Sequence, residues 1–275
     1  MDTFKIFFLA FMFILGACLG SFACCQARRL RAREKGHKIS SKRSICEHCK
    51  KQLSWYENLP LLSWLFLKGR CKKCQKKIGL AEPLSELGLA LALLALGFKF
   101  WPSLSSLSGP LPFVSFVILI IIFTSLAICF IYDALWGSFP SIVLYITLAF
   151  SAIFLVLEFI SLPISMSFTG AALSVPSLLA GIGILPGVYY LLYFFSREKL
   201  VGSGDWLLCL SLALVLHNFW LCFFVLFLSN FLACLVGLPL AFIHKEKNLK
   251  LSFGPFLILA FLIVYTLSDY FIVFL

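Results

Sequence analysis

Charged residues are scarce in this sequence. Only 13% of its 275 residues are Asp, Glu, Lys or Arg, whereas a soluble domain has about 25%. The long apolar runs carry almost no charge at their centres. This scarcity excludes a cytosolic globular protein and a disordered chain. The apolar share of 61% requires several membrane spans, so the sequence is that of a polytopic integral membrane protein.

Long apolar runs predict the membrane helices. The runs are 6–25, 84–101, 111–132, 139–160, 172–195, 205–243 and 253–275. The run 205–243 is too long for one span, and His217 and Asn218 near its middle predict a break into a short helix and a full one. We therefore expect an all-α protein of about eight transmembrane helices. Gly16, Gly20 and Ser21 give the first helix a face for close packing.

Basic residues are concentrated after the first span. Sixteen of the 23 Lys and Arg residues lie between Arg28 and Lys77, against three acids. The positive-inside rule places such a loop in the cytoplasm, although nucleic acid or anionic lipid also attracts basic clusters. If this loop is cytoplasmic and each successive span crosses the membrane in the opposite direction, 21 of the 23 basic residues lie inside and both termini lie outside. We expect three parts, a first helix at 1–27, a cytoplasmic loop at 28–81 and a multi-helix membrane domain at 82–275.

The basic loop contains two CxxC units. Their four cysteines, among 11 in the chain, are Cys46, Cys49, Cys71 and Cys74. Disulfides are rare in the reducing cytoplasm, and two such units can supply four thiolates to a tetrahedral Zn²⁺. Four protein ligands leave no open position, so this zinc would be structural. Four unrelated cysteines or a redox pair are the alternatives.

Two aspartates lie at the inner ends of predicted spans. Asp133 ends the third span, and Asp205 follows Gly202 and Gly204 at the start of the short sixth helix. Either aspartate alone fits an interfacial anchor or a helix N-cap. The predicted topology places both on one membrane face at similar depth, where two carboxylates can share a proton and act as base and acid. The glycines permit close approach of a peptide backbone.

Two other classes of protein remain as alternatives. A transporter would use Asp133 and Asp205 as proton-relay or substrate sites, but the sequence shows no internal repeat and its span centres are nearly free of charge. A non-enzymatic scaffold would bind a partner or anionic lipid through the basic zinc loop. It would leave both aspartates unexplained.

The ordered motifs resemble the type IV prepilin leader peptidases, which are polytopic membrane aspartic proteases of the GxGD type in bacteria. Asp133 with Pro140 seven residues later is similar to the family's first aspartate motif, and 202–205 to the GxGD motif. The paired CxxC units are similar to the zinc-binding loop of bacterial members. Further similar segments are 16–22, 58–65, 68–71, 83–87 and 253–256.

The resemblance implies a reaction. Family members cut the basic leader from prepilins or pseudopilins at the cytoplasmic face of the bacterial inner membrane. Asp133 and Asp205 would be the catalytic pair, with Gly202, Gly204 and Pro140 near the substrate. The implied partners are these substrates and membrane lipids, with no nucleic acid.

Many family members also methylate the new N-terminal amine, using S-adenosylmethionine. Glu47 and the stretch 23–25 depart from the family pattern in or beside the region that this activity needs. Methylation is therefore left open by the sequence, and no residue is assigned to the methyl donor.

Overall fold

The computed structural model describes residues 3–36, 44–46, 48–49, 51–105, 110–161, 174–197, 201–244 and 252–273. Eight of the basic residues counted above to orient the spans lie outside these ranges, as does Glu47. They are Lys38, Lys42, Arg43, Lys50, Lys199, Lys245, Lys247 and Lys250.

The described residues form ten α-helices, a 3₁₀ helix at Trp55–Asn58 and two isolated β-bridges. In chain order the helices are α1 Thr3–Glu34, α2 Leu62–Phe66, α3 Ala81–Ser105, α4 Pro110–Trp136, α5 Ser141–Ser161, α6 Val175–Ser196, α7 Ser203–Leu216, α8 Phe219–His244, α9 Gly254–Thr266 and α10 Ser268–Val273. The predicted all-α class is confirmed.

Six of these helices, α1, α3, α4, α5, α6 and α8, are long and apolar enough to cross a membrane. The apolar helices α7 and α9 have 14 and 13 residues. A helix of that length rises about 20 Å, less than the roughly 30 Å of a bilayer's hydrocarbon core. Each of the eight predicted segments contains a helix, and the sixth is short as predicted.

The predicted break between α7 and α8 is present. His217 ends α7 with a left-handed backbone, φ 39°, which is a common way to stop a helix. The Asn218 side chain then accepts hydrogen bonds from the backbone N–H groups of Trp220 and Leu221 at 2.9 and 3.2 Å. This cap satisfies two of the donors that the start of α8 would otherwise leave unpaired.

Two helix boundaries differ from the prediction. Helix α1 continues to Glu34, since the arginine-rich segment after the apolar run contains good helix formers. The last apolar run is divided at Leu267 into α9 and α10. At this division Ser268 Oγ and Asp269 Oδ1 both accept hydrogen bonds from Lys99 Nζ, so the second helix begins with the residues that satisfy this ammonium.

The chain forms two compact units, Met1–Phe98 and Lys99–Leu275. In the first unit α1 and α3 approach closely at Gly16 and Gly20. A Cβ atom at Gly16 would lie 2.6 Å from Ala90 Cα, and one at Gly20 would lie 2.6 Å from Glu86 Cα. These distances are too short for any side chain, which confirms the predicted close-packing face.

The second unit is built around α4, α7 and α9. The rings of Phe123, Phe261 and Tyr265 pack edge-on or stacked at its centre, with centroids 5.6 to 6.1 Å apart. All three rings are fully buried. This packing of α4 against α9 fixes the C-terminal end of α4 beside the N-terminal end of α9, and both ends contribute to the candidate site.

Candidate active site and metal centre

Asp133 lies in the last turn of α4 and is 4% exposed. Its Oδ2 accepts a hydrogen bond from the backbone N–H of Gly254 at 3.0 Å. Its own carbonyl accepts from Gly137 N–H at 2.8 Å and from Ser252 Oγ at 2.9 Å. Gly137 has φ 63°, a left-handed conformation that favours glycine after a helix end. Asp133 is thus held by the turn that ends α4, through its carbonyl, and by the segment 252–254, which binds both its carbonyl and its carboxyl group.

Asp205 is the third residue of α7 and is 8% exposed. Gly202, not Asp205, occupies the N-cap position, and its backbone N–H donates to Asp205 Oδ2 at 3.1 Å. A carboxylate in the first turn is also favoured by the helix dipole. Among the described residues, Oδ1 of Asp205 is buried and has no hydrogen-bond partner. One oxygen of this carboxyl group is therefore anchored and the other is available for a substrate or a water.

The ring of Phe139 connects the segments that carry the two aspartates. A Cβ atom at Gly204 would lie 2.5 Å from Phe139 Cδ2, and one at Gly254 would overlap Phe139 Cζ. The ring therefore lies directly on the backbone of both glycines. Because Gly254 binds Asp133 and Gly204 precedes Asp205, this ring brings together the segments of the two aspartates singled out from the sequence.

Pro140 follows Phe139 in the chain and immediately precedes α5. Its carbonyl accepts hydrogen bonds from the N–H groups of Val143 and Leu144 at 3.0 and 3.1 Å. The proline thereby fixes the direction in which α5 leaves the site.

Sequence reasoning did not find the contribution of Phe139, Gly254 or Tyr189. The Tyr189 ring packs against Phe253 with centroids 5.3 Å apart, and its hydroxyl accepts a hydrogen bond from Asn230 at 3.1 Å. The available signals were a glycine followed by proline at the start of an apolar run and a phenylalanine beside Pro140. Neither signal indicates which distant residue is contacted.

The four predicted metal ligands form one cluster. The Sγ atoms of Cys46, Cys49, Cys71 and Cys74 all lie within 4.8 Å of one another. The Cys46–Cys74 pair is 3.9 Å apart and the Cys49–Cys71 pair 4.0 Å. Zinc–sulfur bonds of 2.3 Å in a tetrahedron place sulfurs about 3.8 Å apart. All four cysteines are free thiols, and the cluster can hold a tetrahedral metal ion.

Each CxxC unit sits in the same kind of tight turn. Antiparallel bridges join Ile45 to Gln52 and Arg70 to Lys77, one residue before each first cysteine. The backbone N–H groups of Cys74 and Lys73 lower the pKa of the Cys71 thiol to about 6. Turns whose N–H groups point at sulfur favour the thiolate, which is the form that binds a metal.

An ion pair between Lys51 and Glu57 stabilises the segment beside the first CxxC turn. Glu57 is buried, and its Oε2 accepts from Ser54 N–H at 2.8 Å while its Oε1 pairs with Lys51 Nζ at 3.1 Å. The hydrogen bond from Ser54 N–H, and to a smaller extent the charge of Lys51, holds the pKa of Glu57 below its ordinary value, although burial acts in the opposite direction. The segment between the two CxxC units is thereby tied to the first of them.

Fold and site together define a multi-pass membrane protein with a tetracysteine cluster and a buried aspartate pair. Residues 14–100 match the bacterial peptidase A24 N-terminal domain. The chain is 30% identical over 234 residues to a prepilin leader peptidase/N-methyltransferase of Aeromonas hydrophila, covering 82% of this chain and 72% of that protein. The chain belongs to the prepilin leader peptidase/N-methyltransferase family.

Two further relatives carry related names. The prepilin leader peptidase/N-methyltransferase of Klebsiella pneumoniae is 27% identical over 206 residues, which cover 74% of this chain and 82% of that protein. A type 4 prepilin-like proteins leader peptide-processing enzyme of Escherichia coli is 53% identical over 60 residues, 22% of each chain. No solved structure matches the chain.

Proposed function

We propose that this protein cleaves the leader peptide from prepilins or pseudopilins at the cytoplasmic face of the bacterial inner membrane, with Asp133 and Asp205 as the catalytic pair. The observation that carries the proposal is two buried carboxyl groups, each held through one oxygen by a backbone N–H, in segments that the Phe139 ring joins. The names of the relatives support prepilin leader processing as the activity.

In the proposed reaction the pair holds one proton, because two neighbouring carboxyl groups do not both ionise readily. The ionised aspartate takes a proton from water as the water oxygen attacks the scissile carbonyl carbon. The protonated aspartate gives its proton to the carbonyl oxygen. As the tetrahedral diol collapses and the C–N bond breaks, the ionised aspartate takes a proton from a diol hydroxyl and the protonated aspartate gives its proton to the departing amine. The pair then again holds one proton. No covalent intermediate with the enzyme is needed.

The surroundings of Asp205 suit a peptide substrate. Its Oδ1, which no described residue binds, offers an acceptor for the attacking water or the substrate. We propose that Gly202, Gly204 and Pro140 line the approach of the peptide. The Phe139 ring occupies the space beside Gly204, so this residue would meet the substrate through its backbone groups.

The cytoplasmic orientation of the site rests on charge. The segment from Arg28 to Lys77 carries 16 of the 23 basic residues, and such segments stay on the cytoplasmic side. Arg197 follows α6 just before the segment that leads to Asp205. We propose that the cysteine cluster holds a structural Zn²⁺ on the same side, with all four thiolates as ligands.

Cleavage by membranes containing each variant tests the catalytic pair. A prepilin-like substrate is incubated with wild type, Asp133→Asn or Asp205→Asn, and the product is read by intact mass. Either substitution is expected to abolish leader removal, because the amide cannot carry the shuttled proton. Glu158→Gln is the matched control, since Glu158 is also a buried acid of the second unit but lies at the far end of α5. Cleavage that survives both aspartate substitutions would refute the pair.

We also propose that methyl transfer from S-adenosylmethionine follows cleavage. The names of the relatives support this second activity. The same mass measurement tests it, because a methylated product is heavier by one methyl group only when S-adenosylmethionine is present. A product of unchanged mass would limit the protein to cleavage.

A further inference from the structure

The short helix α2 presents an apolar face that no described residue covers. Leu62, Leu65 and Phe66 are 50%, 66% and 77% exposed. Their spacing places all three on one side of the helix. The side chain of Trp64 points elsewhere and contacts Gly69. The exposed face is therefore continuous and is not needed for packing within the segment.

A hydrogen bond fixes the level of this face relative to the membrane helices of its own unit. The backbone N–H of Leu61, the residue before α2, donates to Glu86 Oε2 at 2.7 Å. Glu86 is buried in the second turn of α3, whose apolar span begins at Ala81. Five residues of helix rise about 7.5 Å. Helix α2 thus begins at the level of the first turns of a membrane span, where the headgroups of a bilayer lie.

A basic stretch follows the apolar face immediately. It contains Lys68, Arg70, Lys72, Lys73, Lys76 and Lys77, and every one of these side chains is exposed. The sequence between residues 44 and 80 has only two acids, Glu47 and Glu57, and Glu57 is paired with Lys51. An apolar stripe beside a dense positive charge is complementary to an anionic bilayer surface, which offers acyl chains below and phosphate groups above.

We propose that α2 inserts its apolar face into the headgroup region of an anionic phospholipid leaflet, and that the following basic stretch binds the lipid phosphates. The cysteine-cluster segment is then a peripheral membrane-binding module that lies against the bilayer. This interaction surface is independent of the proposed peptidase activity, since none of its residues belongs to the aspartate site.

Photocrosslinking tests where the face lies. The full chain is placed in nanodiscs of zwitterionic lipid, with or without anionic phosphatidylglycerol, and carries p-benzoylphenylalanine at position 66. Gln52, which is exposed on the same segment but outside the stripe, provides the matched control position. Lipid adducts, read by mass spectrometry, are expected to be several-fold more abundant at position 66. Equal labelling at both positions, or adducts to protein instead of lipid, would overturn the proposal.

The charge component has its own test. Lipid adducts at position 66 are expected to increase several-fold when phosphatidylglycerol is included. A variant carrying Lys73→Gln, Lys76→Gln and Lys77→Gln is expected to lose that increase. Adduct yields that do not depend on phosphatidylglycerol in the parent protein would refute the anionic-lipid assignment. If the probe at position 66 prevents accumulation of the protein, position 62 on the same stripe replaces it with the same expected result.

Discussion

The backbone N–H of Gly254 donates a hydrogen bond to Oδ2 of Asp133 at 3.0 Å, which joins residues 121 positions apart. This contact requires glycine, because a Cβ atom there would lie 2.6 Å from the same Oδ2 and would overlap Phe139 Cζ. The N-terminal end of α9 is therefore part of the candidate site. The geometry of Asp133 depends on a residue with no side chain.

Substitution of the two glycines beside Phe139 is the first prediction. Gly204→Ala and Gly254→Ala are each expected to reduce leader cleavage at least about tenfold. Overpacking costs typically about 1–3 kcal/mol, and the backbone shift that relieves it would move an aspartate. Gly183→Ala in α6 is the control, since no atom of the described segments lies within 4 Å of a Cβ atom there. The measurement is kcat/KM for a prepilin-like substrate.

A second substitution separates the two glycines. Phe139→Ala should restore much of the activity of Gly204→Ala, because ring atoms make the two nearest contacts at that position, at 2.5 and 3.0 Å, and only the Phe139 Cβ at 3.1 Å would remain. It should not restore Gly254→Ala, since the clash with Asp133 Oδ2 remains. Equal rescue of both variants would contradict the contacts described.

Much of this architecture was predictable from the sequence, for physical reasons. Apolar run length reports membrane spans directly, and His217 and Asn218 interrupt an apolar run with residues suited to end and begin helices. The two CxxC units predict a cluster because each brings its own pair of sulfurs close. Asp133 and Asp205 stood out because charge is rare in such helices.

Other features were not predictable from local pattern. Helix α1 extends through a charged segment, where apolar periodicity gives no signal. The position of Phe139 depends on a ring contacting two glycines that lie 65 and 115 residues later in the chain. Nothing in the sequence near any of these residues identifies the others. Contacts of this kind depend on how α4, α7 and α9 are packed together.

The close approach of α1 and α3 leads to the second prediction. Gly20→Ala should destabilise the first unit by about 1–3 kcal/mol, because the new methyl group would meet Ser85 O at 2.5 Å and Glu86 Cα at 2.6 Å. Both are backbone atoms of α3, so neither can move away without displacing the helix. Gly88→Ala on α3, where a Cβ atom has no neighbour within 4 Å among the residues that the structure describes, should be neutral or slightly stabilising. Thermal unfolding in detergent provides the comparison, and equal effects would disprove the helix contact.

The Glu57 ion pair gives the third prediction, which concerns pH. The pKa of Glu57 is lowered in the folded chain, first by the Ser54 N–H and also by Lys51. A lowered carboxyl pKa stabilises the fold at every pH above the ordinary value, and this contribution is lost as pH falls through the folded-state pKa. Glu57→Gln should therefore release metal from the cysteine cluster at several-fold lower chelator concentration than wild type at pH 7.

The difference between Glu57→Gln and wild type should shrink as the pH is lowered. Protonation of the cysteines weakens metal binding in both proteins equally, so their ratio isolates Glu57. Gln75→Glu offers a control charge change at an exposed position of the second CxxC turn. A ratio that stays constant from pH 7 down to acid pH would show that the Glu57 charge contributes nothing.

The last prediction concerns the buried ammonium of Lys99. Its Nζ lies 2.9 Å from Asp269 Oδ1, also donates to Ser268 Oγ and faces the Tyr265 ring at 5.6 Å. Removing only the carboxylate, in Asp269→Asn, should destabilise the second unit by about 1.5–3 kcal/mol, because the buried positive charge then loses its charged partner. Lys99→Met removes the charge and keeps the volume. Adding Lys99→Met to Asp269→Asn should therefore recover most of the loss.

Thermal unfolding of the two single variants and the double variant gives their order of stability. A double variant less stable than Asp269→Asn would show that the ion pair is not what joins α10 to the end of α3.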